Sequence, residues 1–419
     1  MLLTGSLLRA EAPTVEAVNA SFGGELFSGV SLWEEDADRV ARRLGWPGES
    51  RTATQASYRL YPSEGHRHWG ARPYSLALYA LGDRPERLSM VFANKGDLDQ
   101  VQAVRRRAAE LEDARPAERR EVERQRKGLG KELAGAIAAD GEEIRSALTA
   151  LFGNPKRESI GSSSVTRERV ERWDWGEHAF ILSVQDGEYT ALRIQPTEAA
   201  DARGRLERTH RVDLLRQTAD NVVRRPNGDV IISNIPMVNQ GPKGYCVPAT
   251  WERYLRYVGL PADMYLLAMA GNTQPGGGSS VAAMTAAAEA FMRRAGRRSE
   301  RLGASLEIRD LARTLDQGLP IMWMMMTLED HSLSLTERAE LRRGVEDWEE
   351  YRQQLERYRL EARNLQRDLD RSHVCMIIGY NAGTGELATS DSWGPAYEER
   401  WMTVEEARAI SLGDLRIVR

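Results

Sequence analysis

Two cysteines, Cys246 and Cys375, are all that this chain of 419 residues contains, which excludes a disulfide-stapled scaffold and leaves the redox compartment open. Nor does any stretch approach the roughly 20 consecutive apolar residues of a membrane-spanning helix, so no integral membrane segment is expected. An excess of either charge is missing too: 58 Lys and Arg face 62 Asp and Glu, for a net charge of -4. That near-balance supplies no general attraction to a polyanion, and no nucleic acid partner is expected. Clusters of Cys and His at metal-ligand spacing are also absent. His66-Arg67-His68 comes nearest, on an alternating segment, but no cysteine or paired carboxylate completes a site, so neither a metal nor another cofactor is expected.

What remains is a globular composition, 41% hydrophobic and 29% charged, in a chain too long for one core, so two or three domains are expected. Residues 1–12 read MLLTGSLLRAEA, a short apolar run ending in Ala10-Glu11-Ala12, the A-x-A pattern that signal peptidase cuts. The run lacks a basic leader and is shorter than a complete signal. Two readings stay open: the remnant of a truncated signal peptide, which would make the protein periplasmic or secreted, and an ordinary flexible terminus, which would leave it cytoplasmic.

Texture divides the rest. Residues 13–98 read as an α+β unit: a helix over 33–44, then Gly45-Trp46-Pro47-Gly48, an alternating segment and a strand over 74–81. Residues 141–200 repeat that order, with a helix stopped at Phe152-Gly153-Asn154-Pro155 and a strand over 178–184. Trp69-Gly70 and Trp175-Gly176 fall in the same relative place, which suggests an internal duplication. Between the units, residues 99–140 are dense in Arg and Glu and read as a charged helical linker, within which 100–138 is a candidate surface for a protein partner. A similar tract, 333–371, carries Val345, Trp348, Tyr351, Leu355, Tyr358, Leu365 and Leu369 at helical spacing. That stripe makes an amphipathic helix whose apolar face must bury against something: the cleft described next, the other charged helix or a partner protein.

A third region, 225–419, carries the chemistry. Its loop Asn239-Gln240-Gly241-Pro242-Lys243-Gly244-Tyr245 cannot be helical, whereas Val247, Trp251, Tyr254, Leu255 and Val258 follow helical spacing. Cys246 therefore opens a helix, where unpaired N–H groups and the dipole favour the thiolate. Far along the chain, Ser372-His373-Val374-Cys375-Met376-Ile377-Ile378-Gly379-Tyr380-Asn381 reads as a buried strand with one imidazole at its start. Gly383 and Gly385 turn it into a second strand ending at Asp391-Ser392-Trp393-Gly394. Cys375, two residues from His373, reads as a small core residue. Asn381 competes with Asp391 to orient the histidine, but it lies roughly 25 Å along the strand from His373 at about 3.3 Å per residue.

These residues resemble the papain-like cysteine peptidases, and among them the bacterial branch related to the double-glycine leader peptidases. Gln240 stands six before Cys246; Cys246-Val247-Pro248-Ala249 is similar to the Cys-Gly-Pro-Ala of that branch; His373 opens a strand ending Gly379-Tyr380; and Asp391-Ser392-Trp393-Gly394 completes the order. The resemblance implies an α+β, papain-like domain over 225–419, with a Cys-bearing helix and an antiparallel β half, interrupted by the insertion 333–371. It implies hydrolysis of peptide or protein substrate by Cys246 as nucleophile, His373 as base, Asp391 as its orienting carboxylate and Gln240 as oxyanion donor. Gly276, Gly277 and Gly278 resemble the glycine loop that lines the family's cleft and are expected with Trp393 to bind substrate, and Trp393 is also placed to shield the His373–Asp391 pair. A transglutaminase-like acyltransferase shares the order Cys, His, Asp, and a non-catalytic papain-like binding module remains the third reading.

Overall fold

The computed structural model describes residues 12–96, 116–161, 167–205, 210–242, 244–274 and 278–419. Residues 1–11 of the expected signal remnant, part of the charged linker, Gly276 and Gly277 thus lie outside the described residues.

The chain forms two antiparallel sheets with helices against them. The first is built from β1 (Gly48–Arg51), β2 (Gln55–Leu60), β3 (Ser75–Leu81), β4 (Arg84–Asn94), β5 (Lys156–Ile160), β6 (Glu168–Trp175), β7 (His178–Gln185) and β8 (Tyr189–Pro196). Their order across the sheet is β1-β2-β3-β4-β8-β7-β6-β5. The two expected α+β units are therefore joined edge to edge in one sheet, β4 against β8. Tight turns make the hairpins: Gly82, at φ +56, sits in the two-residue connection of β3 to β4, a backbone that a residue with a Cβ rarely adopts. The helix Pro116–Phe152 is continuous through positions 140 and 141, where the linker and the second unit are expected to meet. It buries Leu129, Leu133, Ile137, Ile144 and Leu148, so it is a packed element of this half along most of its length.

The first sheet is covered on both faces. Along β3, Leu76, Leu78 and Ala80 join the core made with Phe22, Trp69, Ile144 and Phe180. The alternate residue Tyr79 points the other way and donates its hydroxyl to buried Glu252 of the C-terminal region at 3.0 Å. This two-sided burial explains why β3 reads as a nearly unbroken apolar run.

The second sheet holds β9 (Val222–Arg224), β10 (Asp229–Ile232), β11 (Ser299–Arg301), β12 (Ile321–Met326), β13 (Ser372–Asn381), β14 (Glu386–Ser390), β15 (Arg400–Thr403) and β16 (Ser411–Val418). The order is β11-β16-β12-β13-β10-β9, with β14 pairing β13 and β15. Helix Cys246–Tyr257 packs on β13 and, with Met284, Trp323, Ile377 and Leu415, closes the main core.

The charged tract forms two helices rather than one, Glu329–Arg343 and Trp348–Glu361. The chain breaks at Gly344, and Asp347 restarts it by accepting the N–H groups of Glu349 and Glu350. Part of the apolar stripe finds its partner within its own region: Tyr351 and Leu355 are buried, Leu369 is exposed, and the tract packs on β15 and helix Val404–Ile410. Ion pairs bolt it down, Arg342 to Asp229 at 2.7 Å and Arg338 to Glu406 at 2.7 Å.

Candidate active site

Cys246 is the first residue of its helix because the preceding loop cannot wind: Gly241 has φ +72, and Pro242 and Gly244 follow. No side chain caps this helix, so its first N–H groups remain available to a negative charge beside the sulfur. Two buried side chains hold the helix to β13, to β14 and to the segments beside them. Thr250 donates to the Val374 carbonyl at 3.0 Å and meets the Ser392 hydroxyl at 3.3 Å. Arg253, two helical turns beyond Cys246 and fully buried, donates to the carbonyls of Pro236 and Ser390 and to the Ser390 hydroxyl.

Against this helix the sheet places His373 and Asp391, both buried. His373 Nε2 meets Asp391 Oδ1 at 2.8 Å, and the Cys246 thiol is close enough to the ring for the two groups to act on each other's charge. Trp393 stacks on the imidazole, centroids 4.6 Å apart at 29°. Asn381, the competing orienting residue, is engaged elsewhere. Its side chain donates to Asp229 and the Asn227 carbonyl and accepts from Gly383 and Thr384, so it shapes the turn after β13.

The electrostatics of the three groups agree. Burial by itself would push the Cys246 thiol up, but the hydrogen bond and charge of His373, aided by the backbone of Val374 and Val247, bring it below its ordinary value. Burial disfavours the His373 imidazolium, yet the hydrogen bonds to Asp391 and Cys246 and their charges raise it to about 9. Burial would likewise raise Asp391, and the His373 hydrogen bond with the nearby Arg400 charge lowers it to about 2. The arrangement thus favours thiolate, imidazolium and carboxylate together. Cys375 differs in every respect: it is fully buried, contacts Met325 Sδ at 3.4 Å, and burial pushes its thiol well up.

Gln240 lies on the same loop as Cys246, buried, with its N–H donated to the Ser392 carbonyl at 2.8 Å, one residue past Asp391. Its side-chain oxygen is buried without a hydrogen-bond partner. Gly278 donates its N–H to the Gly244 carbonyl at 2.9 Å, which sets the described end of the glycine loop two residues from the nucleophile.

One contributor escapes the sequence entirely. Arg400, at the start of β15, donates to Asp391 Oδ2 at 2.5 Å and is itself held by Ser332 and Thr336 of helix Glu329–Arg343. Its guanidinium also lies over the Trp393 and Tyr397 rings. Nothing in its sequence neighbourhood marks it, since the contact depends on β14 and β15 pairing as Thr389 opposite Arg400. Arg253 did carry a signal, its spacing of seven from Cys246 on one helix face.

One other place carries none of these residues. A cavity of about 1000 Å³ opens between β10 and the inserted helices, lined by Asp229, Arg342, Trp348 and Trp401 among others, and by none of Gln240, Cys246, His373 and Asp391. Among the described residues no group of three His, Cys, Asp or Glu is gathered to hold a metal ion, and no helix is long and apolar enough to cross a membrane.

A match to a known family supports a papain-like cysteine peptidase region in the C-terminal part of the chain. Residues 232–411 match the sequence model of the Peptidase C39 like family, and through that match the region is related to the C39 peptidases. At the level of the family this suggests a cysteine peptidase. No curated protein and no solved structure matches the chain.

Proposed function

We propose that the protein is a cysteine peptidase that cleaves peptide bonds through Cys246, His373 and Asp391, with Gln240 as an oxyanion donor. The observation that carries this reading is the position of His373, buried, hydrogen-bonded through Nε2 to the Asp391 carboxylate and electrostatically coupled to the partly exposed Cys246 thiol at the start of the facing helix. In the reaction, the Cys246 thiolate attacks the scissile carbonyl carbon, and the oxyanion that forms is stabilised by the Gln240 amide and the Cys246 backbone N–H. The His373 imidazolium gives its proton to the leaving amine, leaving a thioester. Neutral His373 then takes a proton from water as the oxygen attacks that thioester, releasing the acid and restoring the thiolate. Asp391 holds the imidazole ring in one orientation throughout, and Trp393 restricts water access to the pair.

Two finer readings accompany this one. The halves of the first sheet are copies of one unit, a reading supported by their arrangement about the β4–β8 junction. Pro47 and Pro155 each directly precede a first strand, and Trp69-Gly70 and Trp175-Gly176 each precede a third. Gly278 and the Trp393 ring border the substrate cleft, supported by their contacts with Gly244 and with His373.

The test is chemical. Iodoacetamide near pH 7 should label Cys246 well before Cys375 in folded protein, and Cys246→Ala should abolish turnover of an unfolded protein substrate. Equal labelling of the two thiols, or turnover that survives the substitution, overturns the reading.

A further inference from the structure

The first sheet is more than a neighbour of the catalytic region, because it grips the loop 236–245 at both ends. At one end, the residue before Gln240 is held through both of its backbone groups. The Asn239 N–H donates to Glu49 Oε1 at 2.7 Å, and the Tyr61 hydroxyl donates to the Asn239 carbonyl at 2.6 Å. The Met237 N–H donates to the Ser50 hydroxyl at 2.9 Å, and the Tyr61 ring lies against Gly241, where a Cβ would come within 2.8 Å of it. Glu49 is itself buried and paired with Arg59 at 2.5 Å. At the other end, Tyr245, the residue before Cys246, is buried with its hydroxyl on Asn94 of β4 at 3.3 Å, and its ring occupies the space that a side chain at position 96 would need.

From this we propose that the first sheet positions the oxyanion donors of the peptidase, with Glu49 and Tyr61 as positioning residues for Gln240 and the end of β4 as the support for Cys246. The inference rests on the peptidase reading of the site. Its physical basis is that a donor contributes to an oxyanion only when it is aimed before the charge develops. Gln240 sits on a segment with no helix or strand of its own, so its aim comes from what the segment is tied to. Ser392 ties it to the strand pair carrying Asp391, and Glu49 and Tyr61 tie it to the first sheet.

Tyr61→Phe is the clean probe, since it removes one hydroxyl and keeps the ring on Gly241. In the full chain, backbone amide exchange over residues 236–242 should quicken about two- to tenfold, as for the loss of one hydrogen bond. Turnover should fall roughly three- to tenfold through kcat, while alkylation of Cys246 by iodoacetamide stays within about twofold, because thiolate formation needs no oxyanion donor. In a Gln240→Ala background the same substitution should cost nothing further. Unchanged exchange overturns the proposal, and so does an equal loss of turnover with and without Gln240. If exchange quickens while the wild-type chain shows no thiol-dependent turnover, the anchoring stands and the peptidase reading falls.

Discussion

The two sheets are alike in strand number and antiparallel sense, yet they are assembled from the chain in different ways. In the first, strands adjacent in sequence are adjacent in space except at the β4–β8 junction, so most pairings close short loops. In the second, β10, β12, β13 and β16 lie side by side although helices and the inserted tract separate them in sequence. The second therefore brings together residues as distant as 240, 246, 373, 391 and 400, and the candidate site is assembled there. Long-range pairing costs more loop-closure entropy and repays it by placing side chains from many segments on one spot. The first sheet gathers aromatic and aliphatic residues instead, and reaches the site through the loop it holds and through Tyr79, which donates to Glu252 of the Cys246 helix.

The contrast predicts that damage to the site residues the second sheet gathers shows in turnover, and damage to the core of the first sheet shows in stability. The largest effect is expected at Asp391. Asp391→Ala should lower turnover roughly 100- to 10,000-fold, with Asp391→Asn intermediate because an amide oxygen can still accept from the imidazole. Asn381→Ala, on the adjoining strand, should keep most turnover and instead lose about 1–3 kcal/mol of stability, since it strips partners from Asp229 and the turn. Urea unfolding and hydrolysis assays on the three variants decide it; a crippled Asn381→Ala beside an active Asp391→Ala would reverse the assignment.

A core substitution in the first sheet sharpens the comparison from the other side. Leu192 on β8 is fully buried among Leu88, Phe180 and Ile194. Leu192→Ala should cost about 2–5 kcal/mol in chemical denaturation, with kcat unchanged at temperatures where the variant is folded. A matching fall in kcat would mean that the first sheet's interior, and not only its grip on the loop, is coupled to the site.

The mildest effect is the dependence on pH. His373 is raised to about 9, so its proton, and with it the ion pair, is retained below that value and lost as pH climbs through it. Cys246 is lowered, so the thiolate persists to more acid pH than an ordinary thiol allows. The profile of kcat/KM should thus be a broad bell whose alkaline limb lies near pH 9. An alkaline limb near 6.5, the value of an unperturbed imidazole, would mean that His373 is not held between the thiol and Asp391.

Much of this was legible in order. Glycine and proline before Cys246 end where helical spacing begins, so the thiol's place at a helix start follows from local rules. The apolar run behind His373 and the glycines after Asn381 set out a hairpin that returns Asp391 toward the base, and β13 and β14 pair in that way. The joining of the two α+β units was not legible, because edge-to-edge pairing of β4 with β8 is a choice among unpaired strands that carries no local signature. The inserted tract was half legible. Its apolar stripe announced burial, but Gly344 and the Asp347 cap divide it, and which surface it covers depended on where buried Asp229 and Glu406 waited for Arg342 and Arg338.

By itself the sequence determined the local states: which segments wind, which extend, where turns fall, and that Gln240, Cys246, His373 and Asp391 occur in the order of a papain-like site. These follow from side-chain shape, glycine and proline backbone limits and hydrophobic period, all of which act over a few residues. Only the tertiary structure decided that Arg400 meets Asp391 and that Glu49 and Tyr61 hold the residue beside Gln240. Such contacts join segments far apart in the chain, and their energies depend on burial and distance, which no pattern along one strand of sequence records.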